Sequence, residues 1–139
     1  MPRTAEDVEN YLLQLDRRFE NDGGTFLLAG TNGTIALRVS PPIVAVRVSI
    51  GAVPADEAHQ ARLFRKLLQY NATDLMHVSY GLDTSRKEAP QGHHTPERVV
   101  LSGALELENL DINELEAALS DIDLALARHV PVLHEAAGA

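Results

Sequence analysis

Residues 25–53 read TFLLAGTNGTIALRVSPPIVAVRVSIGAV, and this stretch decides the fold. Apolar side chains fall on every second position, at Ile35, Leu37 and Val39 and then at Val44, Val46, Val48 and Ile50, with Arg47 and Ser49 between them. A period of two predicts strands with one buried and one wet face. Three strands are expected, at 25–29, 34–39 and 43–53, separated by Gly30-Thr31-Asn32-Gly33 and by Ser40-Pro41-Pro42. Gaps of turn length favour an antiparallel meander, because a parallel crossover needs a dozen residues or more. The glycine-rich turn has no following lysine and leads into a strand, so it is a hairpin rather than a phosphate cradle.

Upstream of the meander, Thr4 and Asp7 form a capping pair ahead of Val8, Tyr11, Leu12, Leu15 and Phe19, spacings that close on one helix face. A helix is expected over 5–20, stopped by Asn21-Asp22-Gly23-Gly24. Downstream, Pro54 opens a second helix at 55–71 with Asp56 and Glu57 in its first turn. Its apolar half-circle holds Ala61, Leu63, Phe64, Leu67, Leu68 and Tyr70, and its polar half holds His59, Arg62, Arg65, Lys66 and Gln69. That stripe is wider than a sheet alone needs. Leu63 and Tyr70 fall at its edge, where a second surface can pack against them.

Alternation resumes at 75–83 through Met76, Val78, Tyr80 and Leu82 and again at 98–108 through Val99, Leu101, Gly103, Leu105 and Leu107. A long polar loop with Pro90, Gly92 and Pro96 joins the two. Asp111 with Glu114 then caps a third helix carrying Ile112, Leu115, Leu119, Ile122, Leu126 and Val130, which Pro131 is expected to interrupt. The fold class is therefore α+β, a twisted antiparallel sheet with helices packed on it in the order α-β-β-β-α-β-β-α. One domain spans residues 1–139, with an ordered core over about 4–135.

Composition narrows the function. With 139 residues, 45% of them hydrophobic and 23% charged, the chain can bury a real core. The absence of cysteine excludes disulfides, thiolate zinc sites and cysteine nucleophiles together. Twenty acids against 12 bases give a net charge of -8, the wrong sign for phosphate backbones or anionic lipid, so neither nucleic acid nor a membrane is an expected partner. No apolar run approaches the roughly 20 residues of a bilayer span. Residues 1–10 carry three acids and no apolar signal core, so the expected compartment is the cytoplasm. Between Val99 and Ala127 there are seven acids and no Lys or Arg, whereas the second helix is locally basic.

Few constellations suggest chemistry. His93 and His94 with Glu97 have metal-compatible side chains, but adjacent residues in a loop are not preorganised as an i, i+4 pair on a helix would be. Ser79, His77 and Asp83 include a hydroxyl, an imidazole and a carboxylate without a nucleophile elbow, and Glu106 and Glu108 fit a solvated strand face. No catalytic residue and no cofactor is expected. A small-ligand or metal-dependent activity at His93, His94 and Glu97 is the alternative.

The helix ending Leu67-Leu68-Gln69-Tyr70-Asn71, the leucine-alternating strand from Arg98 to Glu108, and the Leu110-Asp111 start of an acidic helix resemble one known superfamily. It comprises the type III secretion chaperones of the Tir-chaperone kind and the related YbjN-type bacterial domains. The resemblance implies helices over a strongly twisted antiparallel sheet, a homodimer, partner polypeptide held on apolar patches, and no catalysis. Family dimers pair around the second helix and neighbouring strands. Carried onto this sequence, that region falls on Leu63, Tyr70 and the strand at 75–83. Partner-binding positions are expected at Tyr11, Leu63 and Tyr70.

Overall fold

The computed structural model describes residues 3–30, 32–75, 77–83 and 97–138. Helix α1 (Ala5–Gln14) leads into strands β1 (Phe19–Asp22), β2 (Thr25–Gly30), β3 (Gly33–Ser40) and β4 (Ile43–Ala52). Helix α2 (Glu57–Thr73) follows, then β5 (Val78–Asp83), β6 (Arg98–Glu106) and α3 (Ile112–Ala136). The strands form one antiparallel sheet in the order β1-β2-β3-β4-β6-β5. The expected order of elements holds, with one short strand inserted ahead of the meander.

That strand lies inside the segment expected to be helical. The Thr4 capping box forms as the sequence implies, with the Asp7 amide donating to Thr4 Oγ1 and the Thr4 amide to Asp7 Oδ2. However, the helix ends at Gln14, and Asp16 takes a left-handed φ of 55°. Phe19 keeps the core-facing direction the helical spacing gave it, but reaches it from β1, meeting Phe26 edge-on at 5.6 Å. Gly23 and Gly24, at φ 60° and 92°, turn the β1–β2 hairpin rather than end a helix, with the Gly24 amide donating to Asn21 Oδ1.

The register shows why one sheet face is apolar. Leu28, Ile35, Val48, Leu101 and Tyr80 lie on one rung across five strands, and Phe26, Leu37 and Val46 lie on the next. All eight are buried, in one core with Val8 and Leu12 of α1, Leu63 and Leu67 of α2, and Leu115, Leu119, Ile122 and Leu126 of α3. The helices therefore cover one face. The other face exposes Ala29, Thr34, Arg38, Arg47, Ser49, Ser79 and Ala104. At Gly103, a Cβ would come within 2.5 Å of the His77 carbonyl oxygen, so only glycine lets the chain entering β5 lie this close to β6.

Helix α3 runs through Pro131 without a break, contrary to expectation. Proline removes one amide and frees the Ala127 carbonyl, but both residues are exposed, where water can satisfy that carbonyl. His129 and Leu133 are buried on either side and hold the last turns against the body. Among the described residues no helix is long and apolar enough to cross a membrane.

Candidate functional site

The C-terminal halves of α2 and α3 and the start of β5 meet around one buried histidine. His129, 2% exposed, is the one polar residue among the fully buried side chains described. Its Nε2 lies 3.0 Å from Asp74 Oδ2 at the α2 C-cap, and its Nδ1 lies 2.8 Å from the Tyr80 hydroxyl on β5. A carboxylate only accepts, so Nε2 carries a hydrogen; in the neutral ring Nδ1 then accepts from the Tyr80 hydroxyl. The Tyr70 ring stacks on the imidazole at 3.6 Å and 8°.

Asn71 strengthens the junction. Its side-chain carbonyl accepts from the Tyr80 amide at 2.7 Å and its amide donates to the Tyr80 carbonyl at 3.1 Å, so α2 satisfies backbone groups of β5 as a neighbouring strand would. Electrostatics follow the geometry. The hydrogen bonds from His129 and then Thr73 hold the Asp74 carboxyl below its usual range. Burial, followed by the Tyr70 and Asp74 groups, pushes the Tyr80 phenol far up; burial and then Asp74 raise Tyr70.

Two concavities flank this junction. One is a cleft of about 190 Å³ between α3 and the β5–β6 end of the sheet, walled by Leu75, Val78, Leu105, Ala118 and Ile122, with Leu124 at 60% exposure and with Asp121, Arg128 and His77 as polar lining. It is smaller than the roughly 300–1,000 Å³ of a pocket for a drug-sized ligand and fits an aliphatic side chain or two. The other, about 450 Å³, lies between α2 and α3, with Arg62, Arg65, Lys66 and Gln69 on one wall and Val132, Glu135 and Ala136 on the other.

The residues expected to bind a partner take different places. Leu63 is 2% exposed and belongs to the core rather than to the edge of the stripe. Tyr70 is half-buried against His129. Tyr11 is half-buried at the junction of α1 with the start of α3, its hydroxyl donating to the Leu110 carbonyl at 3.2 Å and the Arg3 guanidinium 5.9 Å from its ring centre. Leu63 and Tyr70 thus lie on the α2 side of the molecule and Tyr11 on the α1 side. Leu68, inside the expected apolar arc, is 69% exposed and is the large apolar side chain that α2 presents to solvent among its described residues.

His93 and His94 lie outside the described residues. Glu97 is half-buried, and its carbonyl accepts from the Val53 amide at 2.7 Å. Among the described residues no cluster of three His, Asp or Glu side chains is arranged to hold a metal ion. Asp83, grouped with Ser79 and His77 in the sequence, pairs with Arg47 at 2.7 Å. Sequence reasoning missed His129. Its signal was present in the spacing of Ile122, Leu126, His129 and Leu133, which puts a histidine on the buried stripe of α3.

No curated protein matches the sequence. Among solved structures, the fold is similar to YbjN from E. coli, described as a putative transcription regulator, at 11% identity and a TM-score of 0.65 over 89% of this chain and 91% of that one. It is similar to a chain of the heterodimeric ExoU–SpcU complex of the Pseudomonas aeruginosa type III secretion system, at 19% identity and a TM-score of 0.67 over 92% and 98%. The Yersinia pestis type III secretion chaperone SycH, solved with a fragment of YscM2, is a further likeness at 11% identity and a TM-score of 0.58 over 89% and 98%. The likeness read from helix two, the last strand and the start of the last helix is therefore correct at the level of fold. Over residues 1–139 the sequence matches the model of the CesT_Tir_1 family, and the chain is a member of that family.

Proposed function

We propose that this chain is a non-enzymatic, homodimeric, cytoplasmic module that binds partner polypeptide on apolar surface. The observation that carries the reading is the apolar cleft beside α3, open to solvent at Leu124 and sized for side chains rather than for a cofactor. Family membership supports it, as do SycH, solved with a fragment of YscM2, and the ExoU–SpcU heterodimer. A permanently unfolded polypeptide, such as reduced and carboxymethylated lactalbumin, is the test ligand. It should be retained by the wild type and lost in Leu124→Glu at unchanged circular dichroism and melting. No retention by the wild type, or equal retention by both, counts against the reading.

Dimerisation through α2 is the second half of the proposal. Leu68 stands exposed on a face it shares with Ala61 and Ala72, with Arg65 at its edge, so a second copy of the helix packed there covers an otherwise wet leucine. Light scattering at micromolar concentration should give twice the monomer mass, and Leu68→Glu should give a folded monomer. A wild-type monomer mass throughout that range defeats the dimer.

A further inference from the structure

The cationic groove between α2 and α3 is the feature the proposed function leaves unexplained. Arg62, Arg65 and Lys66 stand at i, i+3 and i+4 on one exposed face, spacings at which like charges repel one another. Among the described residues, Glu135 across the groove is the one acid that lines it. None of the three makes an ion pair among the described residues, whose pairs are Arg17–Asp123, Arg47–Asp83, His59–Asp56 and His129–Asp74. Nor are they placed for the helix dipole, which favours bases in a last turn that here carries none. Three bases out of 12, in a chain of net charge -8, are thus gathered where they cost the isolated helix stability.

The shape of the groove selects what can use them. With Gln69 one turn further on, the polar wall extends over about 10 Å of helix, at 1.5 Å per residue, which suits a row of carboxylates better than a single phosphate. Val132 and Ala136 supply apolar surface on the opposite wall. Glu135 on that same wall turns an incoming anionic side chain toward α2. A long polyanion would meet the repulsion of the whole molecule, whereas a short segment with a few acids meets mainly the local bases.

We infer that the α2–α3 groove holds a short acidic segment of the partner polypeptide, its carboxylates on Arg62, Arg65 and Lys66 and its apolar side chains on Val132 and Ala136. The inference rests on the polypeptide-binding reading and adds to it the chemical class of the segment. Nothing in it depends on the apolar cleft, so the two surfaces can be tested apart.

The probes are a short fluorescein-labelled peptide of interleaved glutamate and leucine, the same peptide with glutamine for glutamate, and a labelled oligothymidylate, each titrated by anisotropy. The wild type should prefer the glutamate peptide over the glutamine peptide by about tenfold at physiological salt. That preference should vanish in the variant combining Arg62→Glu, Arg65→Glu and Lys66→Glu and in the milder pair Arg62→Gln and Arg65→Gln. It should persist in Leu124→Glu, and should fade toward 1 M salt, where the screening length is about 3 Å. Equal affinity for the two peptides, or failure of both to bind while unfolded lactalbumin is retained, overturns the acidic-segment assignment and leaves the general reading standing. Tighter binding of the oligothymidylate than of the glutamate peptide overturns the assignment in favour of nucleic acid. Loss of lactalbumin retention in the wild type removes the general reading instead.

Discussion

Leu63→Ala should lower the unfolding free energy by about 2–5 kcal/mol, the range for truncating a leucine in a packed core, while Leu13→Ala on α1 should change it by less than about 0.5 kcal/mol. Leu63 is buried among core residues of the sheet and of α3, so truncation leaves a void that a close-packed interior fills only in part. Leu13 has no such enclosure at 62% exposure. Urea denaturation of the two variants reads the difference directly. A small effect at Leu63 would mean that α2 is loosely docked.

The second large effect is expected at His129. Replacement by phenylalanine keeps an aromatic ring under Tyr70 but leaves the buried Tyr80 hydroxyl without the acceptor 2.8 Å away, at a cost of about 1–3 kcal/mol for an unsatisfied buried group. Adding Tyr80→Phe removes the orphaned hydroxyl, so the double variant should recover part of the loss. A cycle over the two positions reports the coupling, and strict additivity would contradict the hydrogen bond.

Asp74, the third member of the junction, gives a pH signature. Its carboxyl titrates below the usual value near 3.8 in the folded state because His129 and Thr73 hydrogen-bond to the ionised form. A depressed folded pKa contributes stability that is present above the unfolded value and lost as pH falls through the folded one. Between about pH 5 and about pH 2.5 the wild type should therefore lose more stability than Asp74→Asn, as read from urea midpoints. Equal losses would show that this carboxylate carries no net preference for the folded state.

What the sequence disclosed, and what it hid, divides along physical lines. The meander was legible because period-two alternation and turn-length gaps are local, and β2, β3 and β4 lie within a residue or so of their expected bounds. Both helix caps with acidic partners were equally local, and the Glu114 amide does donate to Asp111 Oδ1 at 2.8 Å. β1 was hidden because Tyr11, Leu15 and Phe19 continue a helical spacing, and no glycine or proline marks the break that Asp16 makes at positive φ. Pro131 misled in the opposite sense, since tertiary burial of His129 and Leu133 outweighs the local penalty at an exposed proline.

The candidate surface was less legible for a geometric reason. A helical wheel gives the width of an apolar arc but not which part of it lies under the neighbours. On α2, Leu63 and Leu67 went inward and Leu68, on the same arc, was left outside. The basic half of that helix was visible as composition. Its position across a groove from Val132 and Ala136 depends on α3 packing alongside, which no local pattern in α2 encodes.

The order in which the sheet is covered matters for how the chain is made. Strands β1 to β3 pair only with their neighbours in sequence, and β4 pairs with β3 on one side, so these hairpins can assemble while the nascent chain is still short. The side chains that roof them, Leu115, Leu119, Ile122 and Leu126, come from α3, the last element of the described fold, and β4 gains its second neighbour only when β6 has been synthesised. At about 5–20 residues per second, translation leaves Phe26, Leu28, Ile35, Leu37 and Val46 without that roof for several seconds. A ribosome stalled before residue 112 would thus carry a sheet whose apolar face lacks the α3 side chains, a client for the cell's own ribosome-bound holdases.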